Sequence, residues 1–258
     1  MLQSVLMRVR PAALASAFKK TLRVKRTTIN TPAGRFFVDP VSQFGSHLGR
    51  GYYEPELTFA LWSLLSPGDT FVDVGANEGY FSVIASKLVG TDGKVLAIEP
   101  QTRLRSVLET NFELNDVTNV RVFDVAISDR QGTATLHLAP DTNTGSSGLR
   151  QGTVYKNLET PVETLTLSEL LTKAAVERVD LMKMDIEGFE FEAVLGSPEL
   201  FREHRIRWFA LELHPSMMAA RGRRPEDIVS FLKGCGYQMD PRFENSLAST
   251  IWRAPQPA

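Results

Sequence analysis

Apolar and polar positions recur with two different periods along residues 66–123. Short runs of β-branched and other apolar residues are each followed by a segment whose apolar positions have helical spacing. The pattern predicts, in order, strand 70–74, helix 78–88, strand 94–98, helix 103–114 and strand 120–123. This order predicts a parallel sheet with right-handed crossovers, and therefore an α/β fold.

The alternation breaks between residues 124 and 178 and then resumes. The intervening segment has a predicted strand at 133–138, a loop rich in Asn, Thr, Ser and Gly at 141–152, and a helix at 165–175. The later elements are strand 180–184, helix 189–195, strand 207–213, helix 225–233 with Gly234 just past its end, and weaker strands near Tyr237 and Thr250. We predict one domain over 39–258, with an insertion at about 125–178 that recognises the substrate.

Residues 1–38 are predicted to form a basic N-terminal arm. Eight Lys and Arg residues precede the first acidic residue, Asp39, and apolar residues between Val5 and Ala17 fall near helical spacing. Three interpretations are open: a solvated helix, which we favour, a basic amphipathic helix that contacts an anionic membrane surface, and an organelle transit peptide.

The overall composition excludes some classes of partner and site. Lys and Arg (29) nearly balance Asp and Glu (30), so no net field attracts a nucleic acid. No apolar run approaches the roughly 18 to 20 residues of a membrane span. The single cysteine, Cys235, excludes an intrachain disulfide and a cysteine zinc cluster. We therefore expect a soluble protein of a reducing, cytoplasmic compartment, in an oligomeric state that the sequence does not indicate.

Candidate ligand-binding residues follow the first predicted strand of the sheet. Asp73 lies near the end of that strand, and Gly75, Ala76, Asn77 and Gly79 form the turn after it. Ligands of doubly wound sheets bind beyond the carboxyl ends of the strands, so the two glycines are expected to let the backbone approach a ligand. Asp73 is expected to accept a hydrogen bond from a ligand amino group, with a turn-forming role as the alternative.

Two further acidic residues end the neighbouring strands. Glu99 is placed to accept hydrogen bonds from both hydroxyls of a ribose, and Asp124 is a candidate contact of an adenine amino group. The alternatives are a surface acid before Pro100 and a turn-forming aspartate. The glycine spacing is G-x-x-x-G and lacks the middle glycine that lets a dinucleotide fingerprint contact pyrophosphate. A phosphate-free nucleoside such as S-adenosylmethionine is therefore favoured over a nicotinamide dinucleotide.

At this point the chain resembles the FkbM-type methyltransferase family over about residues 45–237. The motifs that carry the resemblance are Gly51-Tyr52-Tyr53-Glu54-Pro55, PGDTFVDVGANEGYF at 67–81, Glu99-Pro100, Ser146-Ser147 and DLMKMDIEGFE at 180–190. The string Lys-x-Asp-x-Glu-Gly-x-Glu in the last motif is more specific than the glycine motif, which many methyltransferases share.

The resemblance implies a fold, a cofactor and a reaction. The fold is the class I methyltransferase (Rossmann-like) fold, a mostly parallel seven-stranded sheet flanked by helices, and the cofactor is S-adenosylmethionine. The reaction is methyl transfer, commonly to a hydroxyl of a sugar, a glycan or a natural product. Because relatives in the family act on unrelated acceptors, the resemblance does not identify the acceptor.

Methyl transfer to a hydroxyl requires alignment of the acceptor and a group that takes its proton. Asp185, after the fourth predicted parallel strand, is expected to act as base or to position the acceptor, with Lys183 as its electrostatic partner. His214, after the next strand, is a second candidate base, with a structural role as the alternative. Glu54 is expected to fold over the methionine end of the cofactor, with a turn before a helix at 56–65 as the alternative.

The same region contains a candidate set of metal ligands. Asp185, Glu212 and His214 are residue types that bind a divalent cation such as Mg²⁺, although their spacing specifies no metal. Glu187 and Glu190 lie at the start of a predicted helix, where acids complement the helix dipole, and we assign Glu190 a structural role.

Alternative functions share the predicted fold. One is a cofactor-binding protein that has lost catalysis, and another is a nicotinamide-dependent dehydrogenase, against which the glycine spacing argues. Methylation of a nucleic acid is disfavoured because Asp185 and Glu187 would repel phosphate.

Overall fold

The structure, a computed structural model, describes residues 24–49, 51, 53–141, 143–149, 159–243 and 249–255. Its strands are β1 (Thr27–Thr31), β2 (Gly34–Val38), β3 (Thr70–Val74), β4 (Lys94–Ile98), β5 (Val120–Phe123), β6 (Ala126–Ile127), β7 (Gly132–His137), β8 (Glu159–Leu165), β9 (Val179–Met184), β10 (Ile206–Glu212), β11 (Gln238–Met239) and β12 (Ser249–Arg253). Its α-helices are α1 (Gln43–Leu48), α2 (Pro55–Leu64), α3 (Tyr80–Val89), α4 (Arg105–Glu113), α5 (Leu167–Ala174), α6 (Glu190–Leu195), α7 (Pro198–Arg202), α8 (Pro215–Ala219) and α9 (Pro225–Gly234).

The central sheet has seven strands in the order β11-β12-β10-β9-β3-β4-β5. The five strands from β10 to β5 are parallel, and β12 runs antiparallel to both β10 and β11. Strand order reverses between β3 and β9, so the ends of these two strands border the crevice of a doubly wound sheet. The predicted α/β fold with a mostly parallel seven-stranded sheet is confirmed.

Apolar side chains of the strands enter two cores, one on each face of the sheet. Val72 and Val74 pack in one core with helices α5, α6, α7 and α9, and Phe71 packs in the other with α2 and α3. Alternation along a strand sends successive side chains to opposite faces, which explains why these strands appear as continuous apolar runs. Among the described residues, no helix is long and apolar enough to cross a membrane.

The segment inserted after β5 forms a separate three-stranded sheet in the order β6-β8-β7. Strand β8 is absent from the sequence prediction, and Pro161 within it is a residue type that argues against a central strand. The register explains the exception: β6 pairs only with Thr164 and Leu165, so β8 has a single neighbour at Pro161.

The N-terminal boundary differs from the prediction. Residues 27–38 of the predicted basic arm form the antiparallel hairpin β1–β2, and Phe36 and Val38 are fully buried in the core that contains α3. The backbone N–H of Phe37 donates to Asn111 Oδ1 on α4 (2.6 Å). The domain therefore starts before Asp39; the apolar positions from Val5 to Ala17 lie outside the described residues.

We expect Phe36→Ala to destabilise the domain by about 3 to 5 kcal/mol, the usual cost of truncating a buried phenylalanine. The free energy of unfolding in urea measures the effect. Phe59→Ala is the control, because Phe59 is 57% exposed and its removal should cost far less. Equal costs for the two variants would show that the hairpin does not belong to the cooperative core.

Candidate active site

Residues at the carboxyl ends of β3, β4, β9 and β10 line one cavity of about 530 Å³. Glu99 after β4 and Asp185 after β9 are on this wall, and so is the turn Gly75-Ala76-Asn77 after β3. The carboxyl edge of a parallel sheet is where this fold binds ligands, and the volume lies within the roughly 300 to 1,000 Å³ of small-molecule sites. The structure thus brings most of the predicted site residues together.

Glu99 lies on the cavity wall with its carboxylate fixed by the backbone. Its Oε2 accepts from the N–H of Asn77 (2.8 Å) and its Oε1 accepts from the N–H of Gln101 (2.9 Å). Burial raises the pKa of Glu99, and the two backbone hydrogen bonds oppose that shift. Because a carboxylate accepts about four hydrogen bonds, capacity for ribose hydroxyls remains, and the predicted role of Glu99 stays a prediction.

Asp73 occupies a different place from the one predicted. It is fully buried, and it is not among the described residues that line the cavity. Ser82 Oγ donates to Asp73 Oδ2 (2.7 Å), and Lys183 Nζ lies 3.6 Å from Oδ1. The predicted direct hydrogen bond to a ligand amino group is therefore unsupported, because this side chain points toward a buried lysine.

The two glycines of the motif allow close contacts between segments of the protein. Gly75 has φ +85°, and a Cβ there would collide with the backbone carbonyl of Asp185. Gly79 has φ +83° and would collide with Leu108 and Phe112 of α4. Gly75 therefore lets the turns after β3 and β9 meet. Gly79, which is not among the described lining residues, lets α3 approach α4, which corrects its predicted contact with a ligand.

Asp124 also lies elsewhere. Its side chain is 43% exposed, and its Oδ2 accepts from Arg105 Nη1 (2.8 Å). The next three residues, Val125, Ala126 and Ile127, line the cavity instead. The expected contact of Asp124 with adenine is unsupported, and this apolar segment, which the sequence analysis overlooked, provides a wall suited to a planar base.

The loop 143–149 covers part of the cavity and includes Ser146-Ser147 of the family resemblance. Thr144 Oγ1 donates to Asn77 Oδ1 (3.0 Å), and Gln101 Nε2 donates to the carbonyl of Thr144 (3.1 Å). Gln101 and Thr144 are buried. These hydrogen bonds connect the inserted segment to the turns after β3 and β4. In the sequence, the Ser-Ser motif was the one indication of this arrangement.

Lys183 connects the end of β3 with the turn after β9. Its Nζ donates to the carbonyl of Gly75 (2.8 Å) and lies 3.6 Å from Asp73 Oδ1 and 3.7 Å from Asp185 Oδ2. Burial lowers the pKa of Lys183, but Asp185 and Asp73 raise it above its ordinary value by a larger amount. The charged ammonium is therefore favoured, and its role as the electrostatic partner of Asp185 stays a prediction.

His214 faces Asp185 across the ends of β9 and β10. Its Nδ1 is 2.9 Å from Glu190 Oε1, and its Nε2 is 3.6 Å from both Asp185 Oδ1 and Glu187 Oε2. Burial lowers the pKa of His214, but the hydrogen bond to Glu190 and the surrounding carboxylates raise it to about 9. In the protein alone, His214 is thus mostly protonated at neutral pH.

Glu190 holds His214 in position through its contact with Nδ1. It is fully buried at the start of α6, and its Oε1 also accepts from the N–H of Gly188 (3.1 Å). Its predicted structural role therefore includes positioning His214, a function that helix-dipole reasoning did not indicate.

Glu54 lines the same cavity at the start of α2, where it has φ +43° and precedes Pro55. Burial raises the pKa of Glu54 to about 7, while Lys183 opposes the shift. Glu54 therefore lies within reach of the charges around Asp185, and its contact with the cofactor remains a prediction.

Comparison with known families identifies this architecture. The model of the methyltransferase FkbM domain matches residues 73–239, more than half of the chain.

Three curated relatives are similar to this chain at 26 to 27% sequence identity. AMB antimetabolite synthetase AmbE of Pseudomonas aeruginosa is 26% identical over 252 residues, which cover 76% of this chain and 12% of that protein. 2-O-methyltransferase NoeI of Sinorhizobium fredii is 27% identical over 55% of this chain and 63% of its own length. 31-O-demethyl-FK506 methyltransferase FkbM of Streptomyces tacrolimicus is 27% identical over 69% of this chain and 78% of its own length. The chain thus spans less than two thirds of the first two.

Proposed function

Because the chain belongs to the FkbM family of S-adenosylmethionine-dependent methyltransferases, we propose that it methylates a hydroxyl group of a sugar, glycan or natural-product acceptor. The names of two relatives, a 2-O-methyltransferase and a 31-O-demethyl-FK506 methyltransferase, support oxygen as the methylated atom. Family membership also removes the nicotinamide-dependent dehydrogenase as an alternative.

The cavity suits S-adenosylmethionine, which supplies an electrophilic methyl group on its sulfonium. Glu99 offers a buried carboxylate with free acceptor capacity for the ribose, and Val125, Ala126 and Ile127 form an apolar wall for the adenine. Further carboxylates that line the cavity, including Glu54, favour a cationic group. These residues would hold the cofactor in the cavity.

The observation that carries the proposal is the position of Asp185 in the same cavity as Glu99. The Asp185 backbone N–H donates to the carbonyl of Val74 (3.1 Å), so the end of β3 fixes this residue. Its side chain is 24% exposed toward the cavity and faces the ammonium of Lys183. A carboxylate held in this way can accept a proton from a hydroxyl at hydrogen-bond distance.

The reaction requires positioning and removal of one proton. Bound S-adenosylmethionine would supply the methyl group to the acceptor oxygen and would depart as S-adenosylhomocysteine, and Asp185 would take the hydroxyl proton. Lys183 Nζ lies 3.7 Å from Asp185 Oδ2 and attracts this carboxylate by its charge. Asp185 is favoured over His214 as the base because His214 is already held by Glu190 through Nδ1.

We expect Asp185→Asn to lower the rate of methyl transfer by about 10² to 10⁴, the usual contribution of a general base, with S-adenosylhomocysteine affinity nearly unchanged. Formation of S-adenosylhomocysteine with a panel of hydroxylated sugars and natural products provides the measurement. Asp92→Asn, on an exposed turn, is the matched control. Full activity of Asp185→Asn, or transfer only to amines or thiols, would refute the proposal; no transfer to any acceptor by the wild-type protein would favour a non-catalytic cofactor-binding protein.

A further inference from the structure

Three side chains beyond the ends of β9 and β10 offer ligand atoms within 4.8 Å of one another: Asp185, Glu212 and His214. The two strands are adjacent and parallel, with Leu211 paired with Met184, so a rigid ladder places the three side chains. Ligand atoms at about 2.1 Å from one ion lie about 3 to 4 Å apart. His214 Nε2 and Asp185 Oδ1 are already 3.6 Å apart, and the ligand atom of Glu212 lies within 4.8 Å of both residues.

His214 is oriented as a metal ligand would be. Its Nδ1 faces Glu190 Oε1 (2.9 Å), so when Nδ1 carries the proton, the lone pair of Nε2 points toward Asp185. Metal-binding histidines almost always donate their other ring N–H to a carboxylate or carbonyl in this manner. Glu190 is fully buried, lies outside the three-ligand set, and retains one oxygen, Oε2, without a hydrogen-bond partner in the described structure.

Charge in this corner of the cavity favours a cation. The carboxylates that surround His214 and Lys183 outnumber these two basic side chains; they belong to Glu54, Asp73, Asp185, Glu187, Glu190 and Glu212. Lys183 directs its hydrogen bond to the carbonyl of Gly75 and is closest to Asp73 and Asp185. Glu187 Oε2 lies 3.6 Å from His214 Nε2, and Glu212 forms no ion pair within 4 Å among the described residues, although the charges of His214 and Lys183 both act on it.

We propose that Asp185, Glu212 and His214 bind a divalent cation of the Mg²⁺ or Mn²⁺ class, with Glu190 as the residue that positions His214. The two carboxylate oxygens suit both ions, the imidazole nitrogen is better suited to Mn²⁺ than to Mg²⁺, and three protein ligands leave positions open on the cavity side. An acceptor hydroxyl bound there loses its proton more readily. This role in catalysis rests on the proposed hydroxyl methylation, whereas cation binding itself does not.

The test is titration of chelator-treated protein with Mn²⁺, followed by electron paramagnetic resonance of free Mn²⁺, with Mg²⁺ as competitor. We expect one Mn²⁺ per chain in the wild-type protein. Glu212→Gln and His214→Asn should weaken binding at least tenfold. Glu190→Gln, which removes only the positioning carboxylate, should weaken it about 10- to 100-fold. Glu163→Gln, on the exposed face of β8, should bind Mn²⁺ like the wild-type protein.

The outcomes separate the cation site from the proposed reaction. A thermal melt of each variant establishes that it is folded. Absence of Mn²⁺ binding by folded wild-type protein at 1 mM, or binding that Glu212→Gln and His214→Asn leave unchanged, overturns the site. Hydroxyl methylation by a wild-type protein that does not bind Mn²⁺ supports the proposed function and overturns the cation site. Mn²⁺ binding that is lost in Glu212→Gln and His214→Asn, without any hydroxyl methylation by the wild-type protein, supports the site and refutes the function.

Discussion

Gly75→Ala is expected to destabilise the protein by about 2 to 6 kcal/mol and to abolish methyl transfer. A left-handed φ costs a non-glycine residue about 1 to 3 kcal/mol, and forcing an extra methyl into a packed site costs a similar amount. Gly75 has φ +85°, and its added Cβ would strike the carbonyl of Asp185. Hydrogen bonds hold both backbone segments in place. The N–H of Asp185 donates to the carbonyl of Val74, and the ammonium of Lys183 donates to the carbonyl of Gly75.

Gly68→Ala separates the two contributions. Gly68 has φ +89°, but a Cβ there would meet no atom within 4 Å, so this variant experiences only the backbone strain. Urea unfolding of both variants measures the difference, which we attribute to the collision with Asp185. Equal destabilisation of the two variants, or normal activity of Gly75→Ala, would contradict the contact between the turns after β3 and β9.

Lys183→Met is the second substitution with a large expected effect. Removing one member of a buried ion pair costs about 3 to 5 kcal/mol, because the other charge remains buried without compensation. Here the remaining charges are Asp73, which is fully buried, and Asp185. Loss of the ammonium also removes the positive charge that faces Asp185, so activity should fall together with stability.

Lys173→Met provides the matched control for this variant. Lys173 is 52% exposed, and its Nζ is 3.9 Å from Glu163; exposed pairs of this kind contribute about 0 to 1 kcal/mol. Adding Asp73→Asn to Lys183→Met should restore part of the lost stability, because it removes one uncompensated charge. If Lys183→Met unfolds no more easily than Lys173→Met, the buried charge pair does not stabilise the fold.

The central strands were predictable because burial on both faces leaves an unmistakable apolar run. Strands β3, β4 and β9 each occupy nearly the predicted residues. The start of α3 was less accurate: the prediction was residue 78, whereas the helix starts at Tyr80 because Gly79 is its left-handed N-cap. At the other end of the domain, α9 includes Gly234, which was predicted to follow it.

The hairpin β1–β2 was missed because its two strands are short and mix polar with apolar residues, and only Phe36 and Val38 are fully buried. Burial by a distant partner, α4, supplies what the local pattern lacks. Loop 143–149 is similar: Thr144 is buried by contacts with Asn77 and Gln101, which are more than 40 residues away in sequence. Local periodicity contains no information about such partners.

The candidate site was predictable in position more than in detail. Motif spacing placed Glu99, Asp185 and His214 at one edge of the sheet, where the structure has them. It did not determine which way each side chain points. Asp73 turns into the protein toward Lys183, and Asp124 turns outward toward Arg105. Both directions follow from tertiary partners.

The most direct test of this account is calorimetric titration of the wild-type protein, Glu99→Gln and Asp124→Asn with S-adenosylhomocysteine. Both variants remove one carboxylate charge from the end of a neighbouring strand, but only Glu99 lines the cavity. We predict micromolar binding by the wild-type protein and by Asp124→Asn. Glu99→Gln should bind roughly 10- to 100-fold more weakly, as expected from the loss of hydrogen bonds to a charged group. Wild-type affinity in folded Glu99→Gln, or no binding by the folded wild-type protein, would contradict the assignment of this cavity to the cofactor.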